Sequence, residues 1–456
     1  MYLVFRRLLF ILSGLLALGH RSPVILACSI MCTSLSIFHA NCQGYNTAKP
    51  DLDLLLHEYK PDIISLQETL HDNTNPVTLR GYTDYHIPSS NDTRGSSLFI
   101  RQDISSTRNT VNLPNNRSEC ISVNLHLSKT NTLRIICAYS PQEQLSVDYI
   151  RNELKDNQNT ILIGDLNARH PSFGDTHTNV NGHKLNDLYM DNILYSANPG
   201  IPTRYSQRIR NPEPPSVIDF IIGNLKTFPN IRDFSVLDPI HSDHRPIFAR
   251  YETTKFPRTT PSPKPCFEKA DWTSYRKYIN DHLHQLPIIS NNKDSIDNSI
   301  EQFTKLIQDS DSLFVPRSTP KDKIPLPPCI VNLIKERKRL LRSFYNKPTQ
   351  DKKARINELR RRIHSDIKTY REDSMRNKFN GIANKNPAAF WPTVRKIMKS
   401  GQSVPSVPLS ANGTKYITPA EKAKCFHELY QDIHSVPPPD PVMMISIETY
   451  RTLTTG

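Results

Sequence analysis

Apolar residues gather along this chain in short runs that end on polar or charged ones. The clearest are DIISLQET (62–69), RIICAYSP (134–141), ILIGDLNARH (161–170), SVIDFIIGN (216–224) and IFARY (247–251). Runs of this length, flanked by turn-forming residues, predict buried strands. Further along the period changes. WTSYRKYINDHLHQL and SIDNSIEQFTKLIQD show helical spacing, and Ile356, Leu359, Ile363, Ile367 and Tyr370 recur at three or four residues, which predicts one apolar stripe on a long helix. In TPAEKAKCFHELY, Thr418 is set to be an N-cap, with Pro419 in the first turn and Glu421 closing a capping box. Two proline-rich breaks, TTKFPRTTPSPKP after Tyr251 and FVPRSTPKDKIPLPPC ending at Cys329, punctuate the pattern. The first is expected to form no regular packed element and to close the strand-rich part. The expected layout is an apolar extension over 1–30, a strand-rich domain over 31–252, a proline-rich linker over 253–270, a helical region over 271–400 and a capped-helix segment over 401–456.

The polar residues at the strand ends supply the candidate chemistry. Glu68 follows Ile63, Ile64 and Leu66; Tyr139 closes RIICAY; Asp165, Asn167 and His170 emerge from one run; Asp219 interrupts another; and SDHRPI brings Asp243 and His244 just before IFARY. Asn41 adds an amide near the start. An acidic residue at a strand end is commonly a turn residue or helix cap, and a tyrosine in an apolar run is commonly core packing. The combination points elsewhere. Glu68, Asp165, Asn167 and Asp243 are hard oxygen ligands of the kind Mg²⁺ prefers, and His244 beside them titrates near neutrality. Such groups suit a metal and phosphate site assembled across a sheet.

In its order, the set Asn41, Glu68, Tyr139, Asp165 with Asn167, Asp219, and Asp243 with His244 resembles the endonuclease/exonuclease/phosphatase superfamily, in its apurinic/apyrimidinic endonuclease branch, over residues 31–252. Tyr139 separates this branch from DNase I and the sphingomyelinases, which tend to carry a histidine in that region. The resemblance implies an α/β fold, a two-sheet α/β sandwich of DNase I type, here followed by a mostly α-helical connector. It implies Mg²⁺, with Mn²⁺ as a substitute, held by Glu68 with Asn41 and Asp243 directly or through water. Asp165 would orient or deprotonate the attacking water, while Asn167 and His244 would donate hydrogen bonds to the scissile phosphate. Asp219 would fix the His244 tautomer and raise its pKa, and Tyr139 would contact the phosphate or help the leaving group. Thr203 and Ser216 sit where related enzymes have supporting groups. His170 and His241 are given no catalytic role.

Composition adjusts this picture at a few points. A chain of 456 residues holds more than one domain, and a formal charge of +14 with a pI near 9.3 favours a polyanionic partner, DNA above all. The stretch from Lys335 to Lys378 has sixteen Lys or Arg against six Asp or Glu, a net +10. It reads either as the solvated face of a helical hairpin or as a surface that tracks phosphates, those of RNA included. Eight dispersed cysteines without a CxxC pair fit reduced packing thiols better than zinc or disulfides.

NPAAFWPTVRKIM followed by LSANGTKYITPAEKAKCFHELY looks like the connector ahead of the reverse transcriptase in jockey-type non-LTR retrotransposons, and no Asp-Asp dipeptide of a polymerase metal site occurs. The expectation is a truncated retrotransposon protein whose endonuclease nicks DNA and leaves a 3′ hydroxyl for target-primed reverse transcription. Functional demand would place it in the nucleus, with no membrane partner and an oligomeric state left open. MYLVFRRLLFILSGLLALGH, with a basic pair before an apolar run, keeps alive a secreted or membrane-tethered DNase-like phosphodiesterase. The alternative reading of those residues is upstream sequence from an over-long gene prediction, with Met31 as the start. A catalytically idle nucleic-acid-binding remnant is the third possibility.

Overall fold

Strand β1 (Ser29–Asn41) pairs in parallel with β2 (Ile63–Gln67) through helix α1 (Tyr45–Tyr59), the crossover that a parallel pair requires. The computed structural model describes residues 29–434 except 73, 75, 112, 114–116, 142–143, 156–157, 260–263, 288–292, 319–325, 386–407 and 412. Antiparallel neighbours β3 (Tyr82–Ile87), β4 (Ser96–Arg101), β11 (Ile231–Val236) and β12 (Ile247–Thr259) complete one six-stranded sheet in the order β11-β12-β1-β2-β4-β3. The second sheet runs β5-β6-β7-β8-β10-β9, from β5 (Ser105–Arg108), β6 (Glu119–His126), β7 (Thr132–Tyr139), β8 (Asn159–Asp165), β9 (Tyr195–Ser196) and β10 (Asp219–Gly223). The runs read as strands from their apolar content are strands.

Each sheet is apolar on both faces, so each needs cover on both sides. Between the sheets, Ile37, Ile63, Leu98 and Ile100 meet Ile121, Ile135, Ile161, Ile163 and Ile221 in one buried cluster. Alternate residues turn outward. Ile64 and Leu66 of β2 pack with Leu52 and Leu55 of α1. Ile136, Leu162 and Phe220 pack with Ile150 and Leu154 of α2 (Val147–Lys155) and with Leu185 and Leu188 of α3 (Val180–Met190). The result is the expected two-sheet α/β sandwich, and both sheets deliver their polar strand ends to one side of it.

The first proline-rich break differs from expectation. β12 continues through Thr254 and Phe256 to Thr259 instead of ending at Tyr251. Its neighbour β1 is equally long, thirteen residues, and threonine and phenylalanine favour extended backbone. Pairing with β11 ends at the Ile231–Tyr251 pair, so Pro257 falls where its missing N–H interrupts no β11 ladder.

The helical region expected as one block over 271–400 divides in two. Arg258–Lys323 belongs to one compact unit, and Ile324–Gly456 joins Met31–Pro257 in the other. The first contains α4 (Trp272–His282), α5 (Lys293–Phe314) and a short antiparallel pair, β13 (Lys264–Pro265) with β14 (Arg317–Ser318). In the second, α6 (Pro328–Asn346) and α7 (Gln350–Lys385) form a hairpin whose Ile330, Val331, Ile334, Ile363 and Ile367 share a cluster with Leu54 of α1. The predicted stripe stops at Ile367, and Tyr370 is 43% exposed. α6 has 19 residues against 36 in α7, so the longer helix outruns its partner there.

Later, β15 (Leu409–Ala411) and β16 (Thr414–Tyr416) precede α8 (Pro419–His434). The expected capping box is present: Thr418 Oγ1 accepts from Glu421 N at 3.2 Å, and Glu421 Oε2 accepts from Thr418 N at 3.0 Å. NPAAFWPTVRKIM and residues 1–28 lie outside the described residues. Among the described residues Cys42, Cys120, Cys137, Cys266, Cys329 and Cys425 are free thiols, and no helix is long and apolar enough to cross a membrane.

Candidate active site

Gln67 joins the two sheets at the site. It ends β2 with its side chain crossing to the other sheet, donating through Nε2 to Ala138 O at 2.5 Å and accepting at Oε1 from Asp165 N at 2.7 Å. This close crossing explains Gly164. A Cβ there would lie 1.8 Å from Ala138 O and 2.5 Å from Gln67 Nε2. Only glycine admits both partners, and Asp165 follows with its carboxylate at the strand end.

Around Asp165 the expected residues converge. Asn41 Nδ2 donates to Asp165 Oδ2 at 3.0 Å and to Glu68 Oε1 at 3.1 Å. Tyr139 Oη donates to the same Glu68 oxygen at 3.2 Å. Asn167 N donates to Asp165 Oδ1 at 3.0 Å, and its side chain donates to Ser140 O at 3.0 Å. Glu68 and Asn167 both sit at positive φ, 49° and 46°. Asparagine tolerates this region better than glutamate, so the turn at Glu68 is strained, a feature that concentrates at functional positions.

His244 connects this group to the third acid. Its Nδ1 lies 2.9 Å from Asp219 Oδ2, and its Nε2 faces Asp165 Oδ2 at 3.8 Å and Asp243 Oδ1 at 3.7 Å. Asp165 and Asp219 are paired residues on β8 and β10, which is why two strands 54 positions apart place their carboxylates beside one ring. Burial alone would push the His244 imidazole down, yet Asp219 and then Asp165 raise it well above the usual histidine range. The same pairing holds Asp219 far below the ordinary carboxylate value despite its burial. Asp165 moves the other way: burial raises it, with His244 opposing and Asp219 adding to the rise. The three groups thus share protons unequally, a protonated imidazole flanked by one firmly ionised acid and one poised to accept a proton. Burial, with Glu68 beside it, also pushes the Tyr139 hydroxyl far upward, so it remains a donor.

The residues fit a divalent cation. Asp243 Oδ1 is buried with no hydrogen-bond partner, while Oδ2 accepts from Arg204 Nε at 2.9 Å. The Oδ1 oxygen, 3.7 Å from His244 Nε2, is a hard donor of the kind a divalent cation takes. Asp165, Asp219 and His244 also place ligand atoms within 4.8 Å of one another. Asn41, Glu68 and Asp243, the set expected from the sequence, offer further oxygen donors, with Glu68 paired to Arg94 and Asp243 to Arg204.

Thr203 Oγ1 accepts from Asp219 N at 3.2 Å and Ile218 N at 3.3 Å, bracing the segment before β10. Ser216 takes part through its backbone, exchanging bonds with Arg204. His170 caps a short turn through Ser172 N, and the half-buried His241 faces Arg360, Arg337 and His364, so both stay out of the group around Asp165. Sequence reading missed several participants. Arg94 Nη2 pairs with Glu68 Oε2 at 2.6 Å, and Glu119 holds the Arg94 turn through Arg94 N, Gly95 N and Ser96 Oγ. His39, fully buried, joins Ser65 to Asp219 at 3.0 and 3.2 Å. Arg94, Glu119 and His39 lie outside the strand runs singled out above, so those runs gave no signal for them.

The two-sheet sandwich thus gathers this constellation at its strand ends. Residues 133–248 match the sequence model of the family described as endonuclease-reverse transcriptase, which bears out the resemblance to the endonuclease/exonuclease/phosphatase superfamily. The chain is similar to the RNA-directed DNA polymerase from mobile element jockey of Drosophila funebris, at 25% identity over 70% of this chain and 35% of the relative. It is also similar to the probable RNA-directed DNA polymerase from transposon X-element of Drosophila melanogaster, at 23% identity over 86% of this chain and 43% of the relative. The chain therefore spans well under half the length of these curated relatives. Among solved structures, the endonuclease domain of TRAS1, a telomere-specific non-LTR retrotransposon, aligns with 48% of this chain and 98% of its own at 16% identity and a TM-score of 0.40. The AP endonuclease LMAP from Leishmania major aligns with 48% and 88% at 14% identity and a TM-score of 0.40.

Proposed function

We propose that this chain is a Mg²⁺-dependent endonuclease that nicks DNA and leaves a 3′ hydroxyl, within a non-LTR retrotransposon protein that uses the nick to prime reverse transcription. The observation that carries the reading is the Asp219–His244–Asp165 arrangement beside Asn41, Glu68 and the orphaned Asp243 oxygen. Phosphodiester cleavage requires a deprotonated water, positive charge on the phosphoryl oxygens and help for the leaving oxygen. A cation held by Glu68, Asn41 and Asp243 supplies Lewis acidity when bound. Asp165, with its raised proton affinity, accepts the proton of the attacking water, oriented by Asn41. His244, kept protonated by Asp219, donates to a phosphoryl oxygen, and Asn167 has a second amide proton free for the same task beyond its bond to Ser140. Tyr139, a permanent donor on Glu68, fixes that carboxylate.

Action on DNA in this role places the protein in the nucleus. The test is incubation of the full chain with supercoiled plasmid in Mg²⁺. The reading requires conversion to open circles that stops in EDTA; intact plasmid, or nicking indifferent to EDTA, overturns it.

A further inference from the structure

The α6 helix contacts the backbone just before Asp243, although 103 residues separate Tyr345 from Ser242. Tyr345 Oη donates to Ser242 O at 3.0 Å, and Ser242 Oγ in turn accepts from His244 N at 3.1 Å. The Tyr345 ring stacks on Tyr205 with centroids 4.8 Å apart and planes at 18°, and Tyr205 N donates to Asp243 O at 2.8 Å. At the loop's other end, Asp51 Oδ2 accepts both from His241 N at 3.0 Å and from Arg337 Nη2 of α6 at 2.5 Å. Within 241–244 only His244 is paired, in a bridge with Arg204, so the bonds from α6 and Asp51 add the restraint on the residues before it.

We infer that α6 is part of the active-site frame, with Tyr345 and Arg337 as positioning residues for Asp243 and His244. The inference rests on the nuclease reading but concerns a segment outside the strand-rich domain that carries every candidate group. A loop left to solvent would sample several positions, and displacement of a reacting group by about 1 Å can cost roughly 10²-fold in rate. Tyr345 ties the loop at Ser242, one residue from each of its neighbours, and sandwiches Tyr205 against it. The basic hairpin therefore does more than offer charge to nucleic acid.

The test uses the full chain and Tyr345→Phe, which removes the bond to Ser242 O while keeping the stacked ring and the fold. Three quantities are measured: single-turnover nicking at saturating plasmid, the plasmid concentration for half-maximal rate, and amide hydrogen exchange over residues 241–245. Nicking is expected to slow five- to tenfold, roughly, with half-saturation unchanged within about twofold, because the bond positions chemistry and touches no DNA. Loop amides should exchange about fivefold faster, the effect of one lost hydrogen bond. A wild-type nicking rate in Tyr345→Phe overturns the inference, as does slowed nicking with unchanged loop exchange. Were the wild-type chain itself inactive on plasmid, the nuclease reading would fall, and loop exchange alone would then decide whether Tyr345 braces the loop.

Discussion

Arg337 and Asp51, 286 residues apart, form an ion pair of 2.5 Å with both side chains fully shielded from solvent. Arg337 Nε and Nη1 and Asp51 Oδ1 have no hydrogen-bond partner among the described residues, and besides Arg337 the Asp51 carboxylate accepts from His241 N, with Lys338 nearby. Removing one member of such a pair strands the other, which costs about 3–5 kcal/mol, whereas replacing both with apolar residues of similar size is often neutral. Arg337→Ala should destabilise the chain by about that amount, and Arg337→Met combined with Asp51→Leu should recover most of it. Urea denaturation followed at the strand-rich domain checks this; a loss under about 1 kcal/mol for Arg337→Ala would mean that α6 docks without the pair.

Glu68 tests the ligand set. Its carboxylate gathers Asn41, Tyr139 and Arg94, and in the proposed mechanism it holds the cation with Asp243. Glu68→Ala should abolish nicking at low Mg²⁺ and regain part of it at high Mg²⁺ or with Mn²⁺. A metal titration of the nicking rate decides the point. An unchanged Mg²⁺ midpoint would remove Glu68 from the ligands.

The Asp165 and His244 roles separate chemistry from binding. Asp165→Asn cannot accept a proton, and His244→Ala leaves no donor between Asp219 and Asp165. Each should slow single-turnover nicking by roughly 10² or more while DNA affinity stays nearly intact. Anisotropy and quenched-flow measurements on the same preparations separate the two quantities. A rate within a few-fold of wild type would assign proton transfer elsewhere.

Much of this site could be read before any fold was known, because an apolar run sets where a strand ends and a polar residue immediately after it must emerge at the sheet's rim. Asp165, Glu68 and Tyr139 were visible for that reason. Gln67 and His39 were not: their partners are set by the Asn41–Gln67 register and by the crossing between sheets, relations spanning 98 and 180 residues. Arg337 and Lys338 were counted among the charges of a helical face, yet both are buried, since the partner that accepts Arg337 lies on α1. Helical period locates a stripe but not which other surface covers the rest of the helix. The run to Thr259 was hidden because prolines mark a strand's end only when both of its edges are paired.

The remaining basic face can still track phosphates. Arg361, Lys368 and Arg371 are exposed on α7. Changing all three to glutamine should reduce the magnitude of the salt slope for DNA binding by up to about 2–3, since each phosphate contact contributes about 0.9. The nicking rate at saturating DNA should not change. Equal slopes for wild type and variant, measured by anisotropy from low to moderate salt, would make this face a solvated spacer.

The central claim, metal-dependent cleavage that leaves a 3′ hydroxyl, is tested most directly by the chemistry of the nick itself. Plasmid opened by the full chain in Mg²⁺ is offered to a DNA polymerase with labelled nucleotide, with and without prior phosphatase treatment. The account predicts immediate extension that phosphatase does not improve, and no nicked product in EDTA or with His244→Ala at matched times. Extension only after phosphatase, which would indicate a 3′ phosphate, or nicking that persists in EDTA, would contradict it.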